Sequence, residues 1–165
     1  GVSPWTVLAE GISIYSSYSV GWSTFWMSLA VLLLWIPLKQ KPGIGTILNV
    51  IIIALVFDYT LPYLPNPENY GFKVLQVIIG VLITGLGSGF YLISNLGPGP
   101  RDGLMTGVQR ITGKPIALVR STIEVIVVFF GWKLGGTVGL GTIIFALGIG
   151  PTVAAGIYFV SKNFK

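Results

Sequence analysis

The sequence has no cysteine and no histidine, and its 165 residues include only five aspartates and glutamates. Without cysteine there is no disulfide framework, no thiolate nucleophile and no thiolate metal site, and nothing follows about redox compartment. Without histidine the commonest general base and metal ligand is missing. Charge of either sign is scarce, at 9% of residues, whereas 53% are hydrophobic and 23 are glycine. Mean hydropathy is +0.83, which excludes an ordinary soluble domain. The ten Lys and Arg outnumber the acids. They stand scattered at segment ends without a basic helix or arm, so they read as membrane orientation signals and not as a nucleic-acid surface.

Five mostly apolar runs are each about 20 residues long, enough to cross the roughly 30 Å hydrocarbon core. They run over Val20–Leu38, Ile44–Leu64, Lys73–Leu92, Pro115–Leu134 and Leu140–Val160. Trp22, Trp26 and Trp35 in the first suit interfacial or lipid-facing positions. Gly85 and Gly89 in the third are four apart, the spacing that lets two helices approach closely. The last is interrupted by Gly148-Ile149-Gly150-Pro151, where a break would free carbonyls within a span. Two further stretches are helical but too short to span: residues 1–14, and a segment running from Pro98 to Ile111. The second opens at Gly97-Pro98-Gly99-Pro100-Arg101-Asp102-Gly103, where two prolines forbid a continuous helix and Asp102 occupies an N-cap position.

Sliding the chain on itself by 96 residues pairs Gly1 with Gly97, Pro4 with Pro100, Leu8 with Leu104 and Gly11 with Gly107. In the same register Gly43-Ile44-Gly45-Thr46-Ile47 falls on Gly139-Leu140-Gly141-Thr142-Ile143. This duplication predicts an all-α membrane protein, a polytopic bundle of two inverted-topology repeats of three spans, each with a short broken or re-entrant helix. Repeat one occupies residues 1–64, an external loop 65–72, and repeat two 73–165. The counterpart of the Lys73–Leu92 span is expected to precede Gly1, which is itself expected to lie inside a longer protein because it is not Met. No secretory signal peptide is visible. Lys39 and Lys41, then Arg101, Arg110 and Lys114, then Lys162 and Lys165 mark the cytoplasmic side, so the C-terminus is expected inside. The loop with Asn66, Glu68 and Asn69 is expected outside. Three spans per repeat then invert the second repeat relative to the first.

Glu124 lies near the middle of the Pro115–Leu134 span, with Arg120 one turn before it on the same face. A charge at that depth costs roughly 2.5–3.5 kcal/mol, so both are expected to face the bundle interior or water. They form a coupling or substrate site, or else a structural ion pair. Arg101 and Asp102 stand beside a helix start whose free N–H groups suit a carboxylate or phosphate; the plainer alternative is an interfacial turn. Asp58, nearer the outer end of its span, and Asn49, inside the same span, complete the candidate substrate-binding residues. Catalysis is not expected. Ser88 has no histidine to activate it, no P-loop ends in Gly-Lys-Ser/Thr, and Asp58 and Glu124 are too distant to serve as an aspartyl pair. No metal or cofactor is implied.

The runs Leu96-Gly97-Pro98-Gly99-Pro100-Arg101-Asp102-Gly103-Leu104-Met105 and Val119-Arg120-Ser121-Thr122-Ile123-Glu124 resemble the YczE/YyaS/YitT group of bacterial integral membrane proteins. So do Gly131-Trp132, Val138-Gly139-Leu140-Gly141-Thr142 and Phe145-Ala146-Leu147-Gly148-Ile149-Gly150-Pro151, with Pro4-Trp5 and Pro42-Gly43-Ile44-Gly45-Thr46 in the first half. The resemblance covers nearly the whole chain. It implies a cytoplasmic-membrane protein that usually has one more N-terminal span, and it carries over no residue roles. The expected function is a small secondary transporter for a small, anionic solute. The alternatives are a substrate-binding subunit that works with an ATPase partner in an energy-coupled importer, and a non-transporting scaffold or regulator. The expected partners are the lipid bilayer, a small-molecule solute and, beyond these, a second copy of the chain or the ATPase.

Overall fold

The computed structural model describes residues 1–94 and 96–163; Lys165, assigned to the cytoplasmic tail, lies outside them. The described residues form seven α-helices and no strand: α1 (Pro4–Ser16), α2 (Val20–Leu33), α3 (Ile44–Thr60), α4 (Tyr70–Ile93), α5 (Pro100–Thr112), α6 (Ile116–Lys133) and α7 (Leu140–Asn163). Four of these starts have a plain local cause. Ser3 and Ser19 accept the Thr6 and Trp22 amides at the heads of α1 and α2, and Pro4 and Pro100 occupy the first helical positions of α1 and α5. Asn69 caps α4 by accepting the Gly71 N–H at 2.8 Å. Asp102 is not a cap, contrary to expectation: α5 begins one turn earlier, after Gly99, because Pro100 is already preset for helix.

Three helical stretches are long and apolar enough to cross a membrane, Ile44–Tyr63, Tyr70–Ile93 and Leu140–Lys162. The other two expected spans, α2 and α6, are not among these three. At 14 residues α2 is only about 21 Å long. It stops at Leu33 because the next amides turn to carbonyls three residues back, Trp35 to Leu32 and Ile36 to Leu33, and Pro37 follows. Trp22 and Trp26 are exposed as expected, but Trp35 is buried, with Nε1 donating to the Pro100 carbonyl at 3.0 Å. The last run is not broken either. α7 continues through Pro151, and the Thr152 hydroxyl donates to the Gly148 and Ile149 carbonyls at 2.9 and 3.0 Å. The remaining run, α6, has the expected length and carries Arg120, Glu124 and Lys133.

Packing is dominated by small residues. α4 lies along α7, and a side chain at Gly85 would collide with Thr152 and one at Gly89 with the Gly156 backbone, as their spacing predicts. α1 packs on α6, where Gly131 admits the backbone of Val7 and Leu8; α5 packs on α2 and the turn after it, where Gly103 admits the Trp35 ring. These two contacts involve residues 96 apart, Val7 with Gly103 and Trp35 with Gly131. The same offset relates the left-handed residues Ser17 to Gly113 and Lys39 to Gly135. It also relates the crowding of Gly1 on Gly139 and Thr142 to that of Gly97 on Gly43 and Thr46. The core between these layers joins Trp5 and Ala9 of α1, Met27 and Val31 of α2, Leu104 and Met105 of α5, and Val127 of α6.

Candidate functional site

The loop before α5 is pinned to the head of α3. Thr46, fully buried, donates its hydroxyl to the Pro98 carbonyl at 2.7 Å, and the Gly45 amide donates to the Leu96 carbonyl at 2.9 Å. Gly97, at φ +109°, sits where a side chain would meet the Thr46 hydroxyl. The first turn of α5 is thereby aimed into the interior, beside Asn49 of α3 and Tyr91 of α4. There Asp102 Oδ2 accepts a hydrogen bond from the Tyr91 hydroxyl. The Arg101 guanidinium carbon lies 5.2 Å from the centre of the Trp5 ring, a cation–π contact between equivalent first turns of α1 and α5. From α6, Arg120 Nε donates to Glu124 Oε1 at 3.1 Å, and Glu124 is only 7% exposed.

These groups line one interior cavity of about 150 Å³. It gathers five of the six candidate residues, Arg101, Asp102, Arg120, Glu124 and Asn49. Ser3, Trp5 and Ser88 add polar atoms to the wall, so the starts of both short helices reach the same space. Asp58 is elsewhere. Its two carboxylate oxygens accept the Ser19 hydroxyl at 2.7 Å and the Gly21 N–H at 2.9 Å, which fixes the positive end of α2 against α3. Among the described residues no group of three acidic side chains stands close enough to hold a metal ion.

The donors in the cavity are not used up. Among the described residues, Arg101 has the Trp5 ring as a neighbour but no hydrogen bond or ion pair, and the Trp5 Nε1 donor is buried without a partner. A buried donor left open, as Trp5 Nε1 is, costs about 1–3 kcal/mol unless a ligand meets it. The charged residues of the sequence do not by themselves point to Trp5 or Tyr91. Their polar atoms matter only because α1 and α4 bring them to α5. The Pro4-Trp5 match with Pro100-Arg101 was the one available sign of Trp5.

Residues 1–157 match a family described as a family of unknown function, DUF6198. The chain belongs to this family. It is 46% identical over 153 residues to an uncharacterized protein of Haemophilus influenzae, covering 93% of this chain and 70% of that one. It is 32% identical over 148 residues to the uncharacterized membrane protein YczE of Bacillus subtilis, covering 89% and 69% respectively. The resemblance to the YczE group read from the motifs is thus sustained along the chain, and the protein is a membrane protein. No solved structure matches it.

Proposed function

We propose that the protein is a multi-pass protein of the cytoplasmic membrane, with its C-terminus inside, and that it works as a secondary transporter of a small anionic solute. The observation that carries this reading is the interior cavity in which Arg101 and the Trp5 indole N–H present donors that no described residue accepts. Two helix starts add the positive ends of their dipoles to the same space. Arg120 and Glu124 neutralise each other, and the Tyr91 hydroxyl satisfies Asp102. Asp102 keeps its own charge in the same cavity, and Arg101 is the cation there that has no hydrogen bond or ion pair among the described residues.

In this reading residues 1–64 and 73–165 are inverted repeats joined by the loop 65–72, and α1 and α5 enter from opposite faces. The contacts related by 96 residues support it. So do two clasps at neighbouring places, one residue out of that register on the loop side. Glu10 of α1 accepts the Thr137 N–H at 2.9 Å, and Gln40 donates to Thr106 of α5, the counterpart of Glu10, at 3.3 Å. Rocking one half against the other would open one clasp while the other holds, exposing the cavity to each side in turn.

A thermal-shift screen in detergent over acetate, phosphate, sulfate and amino-acid-like solutes tests the site. A solute at about 100 times its Kd adds roughly 2.7 kcal/mol to the folded state, an upward shift of several degrees. At least one anion is expected to do this, and Arg101→Gln to abolish the shift. Absence of stabilisation by every solute, or an equal shift in Arg101→Gln, contradicts the proposal.

A further inference from the structure

A second and larger hollow of about 550 Å³ lies between α6 and α7. Its walls are Val125, Val128, Phe129 and Trp132 on α6, and Ile143 and Leu147 on α7. The hollow opens at the outer surface, where Val125 is 68% and Leu147 74% exposed. One charged group stands in its wall, Glu124, and Glu124 also lines the polar cavity. An apolar groove that held only bulk lipid tails would gain nothing from a carboxylate, and burying one there is costly. A groove that shares Glu124 with the polar cavity instead suits a molecule that has both an apolar and a polar end.

Resting on the anion site proposed above, we infer that the solute is an amphiphilic anion, with its acid group in the cavity at Arg101 and its hydrocarbon tail in the groove between α6 and α7. The Arg120–Glu124 pair marks the junction. Bound to Arg120, the carboxylate presents little net charge to an acid group passing beside it. The tail is covered by α6 and α7 on one side and meets the bilayer on the other, so it can enter sideways without crossing water.

The probes are n-alkyl carboxylates from acetate to octanoate, below their micellar concentrations, scored by thermal shift on the full chain. A fully buried methylene tightens binding about fourfold. With half the tail covered, about twofold per methylene is expected, roughly 60-fold from acetate to octanoate. Ala146→Phe places a ring in the groove, where Ala146 lines the α7 wall. It is expected to bring the octanoate-to-acetate ratio close to one after correction for partition into detergent. Should that variant not fold, Ile143→Trp on the exposed flank of the same wall serves instead. An equal ratio in parent and variant overturns the tail assignment while acetate binding still upholds the anion site. If no carboxylate of any length binds, the amphiphile assignment is overturned, and the anion site falls with it only when phosphate and sulfate also give no shift.

Discussion

Glu124→Gln is expected to abolish solute-dependent stabilisation and to lower the thermal midpoint in detergent by on the order of 6–10 °C. The carboxylate is 7% exposed and holds Arg120 Nε at 3.1 Å, so its loss leaves the guanidinium in the interior without its hydrogen-bonded countercharge. Breaking a fully buried pair costs about 3–5 kcal/mol, and the lower end applies here because the Arg120 side chain retains 27% exposure. Removing both partners, as Arg120→Met with Glu124→Gln, relieves that penalty and is expected to bring the midpoint back near that of the parent. The double variant should nevertheless remain unresponsive to solute and inactive in transport. Recovery of all three properties by the double variant would reduce the pair to a structural bridge.

Gly89→Leu is expected to have the largest purely structural effect. A Cβ at Gly89 would collide with the Gly156 carbonyl group and the Ile157 amide nitrogen, all backbone atoms of α7, so no rotamer change can absorb it. Overpacking costs about 1–3 kcal/mol where side chains can shift, and here two helices must separate, so the upper end or more applies. In size-exclusion profiles and thermal melts the variant should show an aggregated or strongly destabilised protein. Gly87→Leu on the same helix is the control, because nothing lies within 4 Å of a Cβ there. It should be neutral or slightly stabilising, through helix propensity worth up to about 1 kcal/mol. Equal loss in both variants would mean that leucine in α4 is harmful for a reason other than the contact with α7.

The elements set by local chemistry were legible in the sequence. Pro4 and Pro100 start helices, Gly85 and Gly89 mark a close helix crossing, and the glycine and proline matches 96 residues apart fall at equivalent contacts. The meeting of Arg101, Asp102, Arg120, Glu124 and Asn49 at one cavity followed from a different argument, that polar groups within apolar segments must find one another. What was not legible depends on partners distant in the chain. Asp58 reads as a site residue until Ser19 and Gly21, nearly 40 residues earlier, are seen to occupy both its oxygens. Trp35 reads as an interfacial anchor until its indole N–H is seen to donate inward to the Pro100 carbonyl. Pro151 reads as a break because its lost amide is visible in sequence, whereas the support from the neighbouring Thr152 hydroxyl to two carbonyls appears only with the helix built. Trp5 shows the same limit from the other direction, since an aromatic residue declares a donor role only when its N–H is found buried and unmet.

The most direct measurement of the central claim is uptake into proteoliposomes of whichever anion gives the largest thermal shift, comparing the parent chain with Arg101→Gln at matched incorporation. Concentration-driven uptake by the parent, reduced to the level of empty liposomes in Arg101→Gln while that variant remains folded, is the result predicted for a cavity that carries an anion between the two faces. Stabilising binding by the parent with no uptake above empty liposomes would contradict it and leave a membrane protein that binds an anion without moving it.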